Sequence, residues 1–201
     1  MNVLVKICGI TSPEALEAVL TAGADAVGFV FHAASPRNLT PARAAALAAR
    51  VPPGVKTVAV TRHPSQELVE EVLAAFVPQV WQTDARDFDA ISLPARIERW
   101  PVFRGGETLP SVLPWRLLYE GARSGAGELA DWSQAASLAA HAELILGGGL
   151  RPENVGAAVA AVRPWGVDVS SGVESAPGSK DPARIWEFVK AARKAAAGVG
   201  Q

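Results

Sequence analysis

The sequence predicts an α/β protein: a closed, single-domain (β/α)8 barrel of the TIM type, with parallel strands, spanning residues 1–201. Three observations carry this expectation. Short apolar runs alternate with helical apolar periodicity about eight times, a spacing of ~25 residues per unit that suits a compact barrel. Several helical stretches open on Ser, Thr or Asp followed by Pro, as at Ser12-Pro13, Thr40-Pro41 and Asp181-Pro182. The last two strand-like runs end in small residues, where barrels of this class place a phosphate site. A doubly wound sheet is the rival, but uninterrupted alternation favours closure, and right-handed crossovers make either sheet parallel.

Taken in order, residues 3–7 form a first buried strand, and Thr11-Ser12-Pro13-Glu14 supplies a cap, a proline and an acidic first turn for a helix to 22. A second strand covers 26–31, followed by a polar loop over 32–40 and an Ala-rich helix capped by Thr40-Pro41. A third strand covers 55–60, with a helix from Pro64-Ser65 to 76, and a fourth strand covers 77–81. A weaker helix over 88–99, interrupted by Pro94, leads to a fifth strand at 100–103. The stretch 107–113 is too short for a full helix; a sixth strand covers 116–119, a flexible loop 121–127, and a helix 131–141. Strands at 144–146 and 165–169 flank a helix opened by Arg151-Pro152-Glu153, and a helix from Asp181-Pro182 to 197 closes the chain.

Composition narrows the partners. Apolar residues make up 49% and charged residues 19%, with a formal net charge of −1, so no broad field attracts nucleic acid or an anionic membrane. One cysteine excludes an intrachain disulfide and a multi-cysteine metal cluster, and His32, His63 and His141 are scattered, so no metal is expected. No signal-peptide pattern opens the sequence and no apolar run approaches the ~20 residues of a membrane span, so a cytoplasmic location is expected. The expected partner is a small molecule.

Two places carry chemistry. The run 144–146 stops at Gly147-Gly148-Gly149, and the run 165–169 stops at Ser170-Ser171-Gly172. One such glycine loop is commonly only a tight turn. Two of them on neighbouring parallel strands present unobstructed backbone N–H groups side by side, a cradle for an oxyanion. The other place is Cys8, which ends the first strand before Gly9. Period-two alternation puts Lys6 and Cys8 on one face, with Lys6 a layer deeper, and a nearby ammonium favours the thiolate over the free thiol pKa of ~8.5. From chemistry alone Cys8 is either a base or nucleophile, or a buried apolar cysteine.

Several long motifs fall in one order along the whole chain. They are Lys6-Ile7-Cys8-Gly9-Ile10-Thr11, the stretch from Gly23 to Phe31, Ser35-Pro36-Arg37, the run from Gly148 to Val155, and Val167-Asp168-Val169-Ser170-Ser171-Gly172-Val173-Glu174 with Pro177, Gly178, Lys180 and Asp181. Together they resemble phosphoribosylanthranilate isomerase. The resemblance implies an Amadori rearrangement in tryptophan biosynthesis, from N-(5-phosphoribosyl)anthranilate to 1-(2-carboxyphenylamino)-1-deoxyribulose 5-phosphate, with no cofactor. It implies Cys8 as general base, Arg37 as ligand of the anthranilate carboxylate, Asp168 near the ribose hydroxyls, and Gly148, Gly149, Ser170, Ser171 and Gly172 around the phosphate. Family members occur as monomers and dimers, and a homodimer is expected here.

The general acid is where the sequence departs from the family pattern, which reads Leu-Leu-Asp at the end of strand six. Here Leu117-Leu118-Tyr119-Glu120 stands instead. Strict register puts Tyr119 in the Asp position, although a phenol of pKa ~10 is a weak acid for this step; Glu120 keeps the carboxylate but is expected to point away from the barrel axis unless the strand ends early. Gln-Leu-His-Gly after strand four is Gln82-Thr83-Asp84-Ala85 here, and Ser-Gly-Gly is Gly147-Gly148-Gly149. Two alternatives remain open. Another phosphosugar barrel, such as indoleglycerol-phosphate synthase or a Schiff-base aldolase, would need catalytic lysines at strand ends, and only Lys6 of Lys6, Lys56, Lys180, Lys190 and Lys194 is expected near a site. A non-catalytic phosphate-binding barrel is favoured only by the altered acid.

Overall fold

The computed structural model describes residues 3–122 and 129–198. Eight parallel strands close into a barrel in chain order: β1 (Leu4–Cys8), β2 (Ala26–Phe31), β3 (Lys56–Thr61), β4 (Val80–Asp84), β5 (Glu98–Arg104), β6 (Arg116–Glu120), β7 (Glu143–Leu146) and β8 (Gly166–Val169). Closure comes from β1 pairing with β8, with Lys6 opposite Asp168 in the register. Outside lie α1 (Pro13–Thr21), α2 (Pro41–Ala48), α3 (Gln66–Ala75), α4 (Trp132–Ala139), α5 (Pro152–Val162) and α6 (Pro182–Gly198). The caps are those the sequence suggests: Ser12, Thr40, Ser65 and Asp131 each accept a hydrogen bond from a first-turn N–H, satisfying donors the helix leaves open.

Two clusters divide the apolar side chains. A large one fills the space between sheet and helices; a smaller one inside the barrel contains Ala26, Val58, Val80, Trp100, Val102, Leu118 and Ile145. Trp100 meets Trp165 edge to face at the N-terminal end of the barrel, and the Arg116 guanidinium lies 3.8 Å from the Trp165 ring centre. Arg116 also pairs with Glu98 and Glu143, so this end is plugged by stacked rings and paired charges.

The helix expected over 88–99 is absent. A 3-10 turn, Ala85–Asp89, stands there, held by the Asp87 carboxylate, which accepts from Thr83 Oγ1 and from the backbone N–H of His63. Pro94 then blocks helical continuation, and Ile97 N–H bonds to the Pro94 carbonyl as the chain turns into β5. The unit after β5 also lacks a helix. Phe88, Pro101, Phe103 and Leu109 therefore line an outer cavity of about 880 Å³, which reaches Asp84 at the end of β4 and Glu107 in the loop after β5. Strand four starts three residues later than expected and β4, β5 and β6 run on through the polar residues Asp84, Arg104 and Glu120. Most of the expected loop 121–127 lies outside the described residues.

The loops after β7 and β8 interlock. A Cβ on Gly172 would stand 1.9 Å from the Leu150 carbonyl oxygen, so only glycine lets the second loop seat against the first. Gly148 and Gly149 have φ values of 78° and 63°, in the left-handed region that favours glycine. Gly172→Ala is expected to lower stability by about 1–3 kcal/mol through this overpacking; a urea melt matching wild type would show that the loops part without cost.

Candidate active site

At the C-terminal end of the strands the inward side chains enclose a cavity of about 390 Å³, with Cys8, Arg37, Glu120, Asp168 and Ser170 in its wall, together with Gln82, Asp84 and Arg104. Alternation accounts for the set. Lys6 and Cys8 follow one another inward on β1, Leu118 and Glu120 on β6, and Gln82 and Asp84 on β4. Gly28, opposite Cys8 on β2, leaves room for the thiol, since a Cβ there would lie 2.9 Å from Sγ. Gly148, Gly149, Ser171 and Gly172 form the rim beside this cavity rather than its wall. Among the described residues no group accepts a hydrogen bond from the backbone N–H of Gly148, Gly149, Ser171 or Gly172.

Lys6 is wholly buried, and its Nζ donates to Asp168 Oδ1 at 2.8 Å. Burial disfavours the ammonium, but the Asp168 carboxylate and then Cys8 hold its pKa above the ordinary lysine value. The expectation that Lys6 would favour a Cys8 thiolate is not met. Burial pushes the thiol up; Lys6 pulls it down, but Asp168, which shares the ammonium, pushes it up again, and the net direction is upward.

Arg37 is held edge-on by Glu174, with Nε and Nη2 each 2.7 Å from a carboxylate oxygen. Its stem packs over Gly9, where a Cβ would fall 2.4 Å from Arg37 Cδ. Glu174 also accepts from Lys180 Nζ at 2.6 Å, and Lys180 donates to the Ser170 carbonyl at 3.0 Å. Burial lowers the Lys180 pKa against the pull of Glu174. Lys180 corrects the expectation that Lys6 alone lies near the site. Both Lys180 and Glu174 stand inside the motif after β8, and their position there was the available signal; the hairpin of β9 (Glu174–Ala176) and β10 (Ser179–Lys180) folds the lysine back beneath Ser170.

The two candidate acids part company. Tyr119 is fully buried in the outer cluster, and its hydroxyl donates to Gln134 Oε1 of α4 at 2.6 Å. Burial and then the Asp131 charge push its phenol further up. The register expectation is thereby corrected: Leu118 is inward, so β6 continues to an inward Glu120, and Leu118-Tyr119-Glu120 takes the place of Leu-Leu-Asp. Gly147 lies against this residue, its missing Cβ 3.6 Å from Glu120 Cβ, so two departures from the family pattern are in contact.

Arg104 Nε is 3.1 Å from Glu120 Oε1 and Arg104 Nη2 is 2.6 Å from Asp84 Oδ1. Behind Asp84, His63 Nε2 stands 3.4 Å from Oδ2 while His63 Nδ1 meets Asp87 Oδ1 at 2.9 Å. His63, Asp84 and Asp87 bring three donor atoms within 4.8 Å of one another. Arg86 lies against His63 and Arg104 against Asp84, which makes the group an ion-pair network rather than a cation site.

A closed barrel whose strand ends gather a buried thiol, an inward carboxylate and two N–H-rich loops defines an acid–base enzyme for a phosphorylated substrate. The family model described as N-(5'phosphoribosyl)anthranilate (PRA) isomerase matches residues 5–191, and the chain belongs to that family. Proteins named N-(5'-phosphoribosyl)anthranilate isomerase from Geobacter sulfurreducens and Pseudomonas fluorescens (strain Pf0-1) are similar to it. They are 39% and 41% identical, over 95% and 94% of this chain and 98% and 97% of the relatives. The phosphoribosyl anthranilate isomerase structure from Thermotoga maritima superposes with a TM-score of 0.81 at 32% identity, covering 96% of this chain and 99% of that one. The Thermus thermophilus structure gives 0.80 at 31% identity, covering 94% and 97%. Among the described residues no helix is long and apolar enough to cross a membrane.

Cys8 is the sole cysteine, so its titration can be read directly. Iodoacetamide reacts with the thiolate, and its rate rises with pH through the thiol pKa. The midpoint for the folded protein is expected above that for the protein unfolded in urea; a lower midpoint would mean that Lys6 outweighs burial.

Proposed function

We infer that this chain is an N-(5'-phosphoribosyl)anthranilate isomerase acting in tryptophan biosynthesis, with Glu120 as general acid and Cys8 as general base. The observation that supports the residue roles is that both groups line one cavity beside the paired glycine loops. One solved relative is in complex with reduced 1-(o-carboxyphenylamino)-1-deoxyribulose 5-phosphate, at 31% identity and a TM-score of 0.76. In this reading the substrate phosphate takes the N–H groups of Gly148, Gly149, Ser171 and Gly172, with Ser170 beside them, and the helix α5 dipole favours its charge. Arg37, turned by Glu174, offers its remaining N–H donors to the anthranilate carboxylate.

Glu120 gives its proton to the ribose ring oxygen as the C1–oxygen bond breaks, and the nitrogen lone pair forms the cationic Schiff base. That new positive charge favours the Cys8 thiolate against the burial that raises the thiol pKa. The thiol releases its own proton to solvent water, and the resulting thiolate takes the C2 proton, giving an enolamine that tautomerises to the ketose. Asp168, anchored by Lys6, uses its second oxygen on a ribose hydroxyl. A dimeric form is on record for the Thermotoga maritima protein, and a homodimer is our reading here as well; so is a cytoplasmic location.

Turnover of freshly generated phosphoribosylanthranilate, followed by loss of anthranilate-type fluorescence, tests the whole reading. Wild type is expected to turn over; a chain that binds inorganic phosphate without turnover would be the non-catalytic alternative. Cys8→Ser is expected to lower kcat by at least ~10²-fold with little change in KM, because a hydroxyl is a far poorer base. Glu120→Gln should abolish most activity while Tyr119→Phe stays near wild type, losing only the buried hydrogen bond to Gln134. The reverse order would return the acid to Tyr119.

A further inference from the structure

Glu120 meets a guanidinium, and this poses a problem for an acid. A positive charge a few ångströms away favours the ionised carboxylate, the form with no proton to give. The surroundings hold the answer. Arg104 is buried and stands between two carboxylates, 2.6 Å from Asp84 and 3.1 Å from Glu120. Its Nε lacks aligned hydrogen-bond geometry, so the contact with Glu120 is one of charge rather than of a directed bond. Glu107, 3.9 Å away and half exposed, adds a screened third acid. Asp84 stands where the family pattern has histidine.

Resting on the assignment of Glu120 as acid, we propose that Asp84 and Arg104 are positioning residues: Arg104 fixes the Glu120 carboxyl at the mouth, and Asp84 offsets the guanidinium charge so that Glu120 retains its proton until ring opening. With Glu120 protonated, the Asp84–Arg104 pair is neutral; when Glu120 gives up its proton, the half-shared guanidinium receives the new carboxylate. The charged and titratable groups facing this unit among the described residues are His63 on the far side of Asp84, Glu107 from the loop after β5 and, across the cavity, Cys8 with the Lys6–Asp168 pair, Arg62 after β3, and His32 and Arg37 from the loop after β2. The loop after β7 contributes the uncharged Gly147.

The alkaline limb of kcat against pH reports the acid, since activity falls as pH rises through the pKa of a group that must be protonated. Asp84→Asn keeps the shape and removes the offset, so Arg104 acts on Glu120 alone and the limb is expected to move down by about 1 pH unit or more, with KM little changed. At a fixed pH on that limb, kcat should fall about 10-fold. Arg104→Gln should move the limb the other way, and circular dichroism verifies that each variant is folded. Shifts of opposite sign are not produced by a general loss of structure. An unmoved limb in Asp84→Asn, with Glu120→Gln inactive, overturns the proposal and leaves the acid in place. Full activity in Glu120→Gln removes the acid assignment and the proposal together.

Discussion

A fully buried ammonium has to be paired, and the pairing of Lys6 with Asp168 is the constraint around which the site closes. Removing one partner of such a pair typically costs about 3–5 kcal/mol, because the other charge is left stranded. Lys6 is on the first strand and Asp168 on the last, opposite each other where β1 meets β8. Barrel closure and site assembly are therefore one event. The same seam carries Ser170 Oγ donating to the Cys8 carbonyl at 3.0 Å. Above it, Lys180 and Arg37 converge on Glu174, so charges from β1, the loop after β2, and the hairpin after β8 neutralise one another in a small volume.

Neutralisation shapes the chemistry. Each buried cation near the mouth is shared with an acid: Lys6 with Asp168, Lys180 and Arg37 with Glu174, Arg104 with Asp84 and Glu120. No lone cation in this set is left to force Cys8 to ionise, and burial keeps it a thiol. A thiol that ionises in response to a cationic intermediate avoids holding an unpaired buried charge beforehand. In the proposed reaction the reactive form of the base is then tied to the step that needs it.

How much of this was legible in the sequence depends on what each residue does. The eight strands, the caps at Ser12, Thr40, Ser65 and Asp131, and the inward face of Lys6 and Cys8 all follow from local pattern. Strand ends did not. An apolar-run criterion stops β4 at Trp81, β5 at Phe103 and β6 at Tyr119, but the backbone continues to Asp84, Arg104 and Glu120. Those omitted residues are polar because they face the cavity, so the criterion fails where the function is. The error at β6 also reversed the facing of Tyr119 and Glu120, because a one-residue slip exchanges the two sides of a strand. Lys180 was missed for another reason. Its burial is set by a two-residue strand in a hairpin, too short to leave a periodic signal.

Altered residues in a family site make more physical sense in groups than singly. Glutamate in place of aspartate lengthens the proposed acid by a methylene, and Gly147, in place of the pattern's serine, removes bulk beside its Cβ. Asp84, in place of histidine, brings a carboxylate to the guanidinium that Glu120 also meets. His63, held at φ 49° by backbone and ring contacts to Asp87, then returns an imidazole to the neighbourhood from β3's side, with Nε2 toward Asp84. Glu120 and Asp84 meet through Arg104, His63 stands behind Asp84, and Gly147 lies against Glu120, all at one edge of the mouth. Changing any one of them alters the space or charge seen by the next, so under the proposed assignment the altered acid comes with supports that have changed with it.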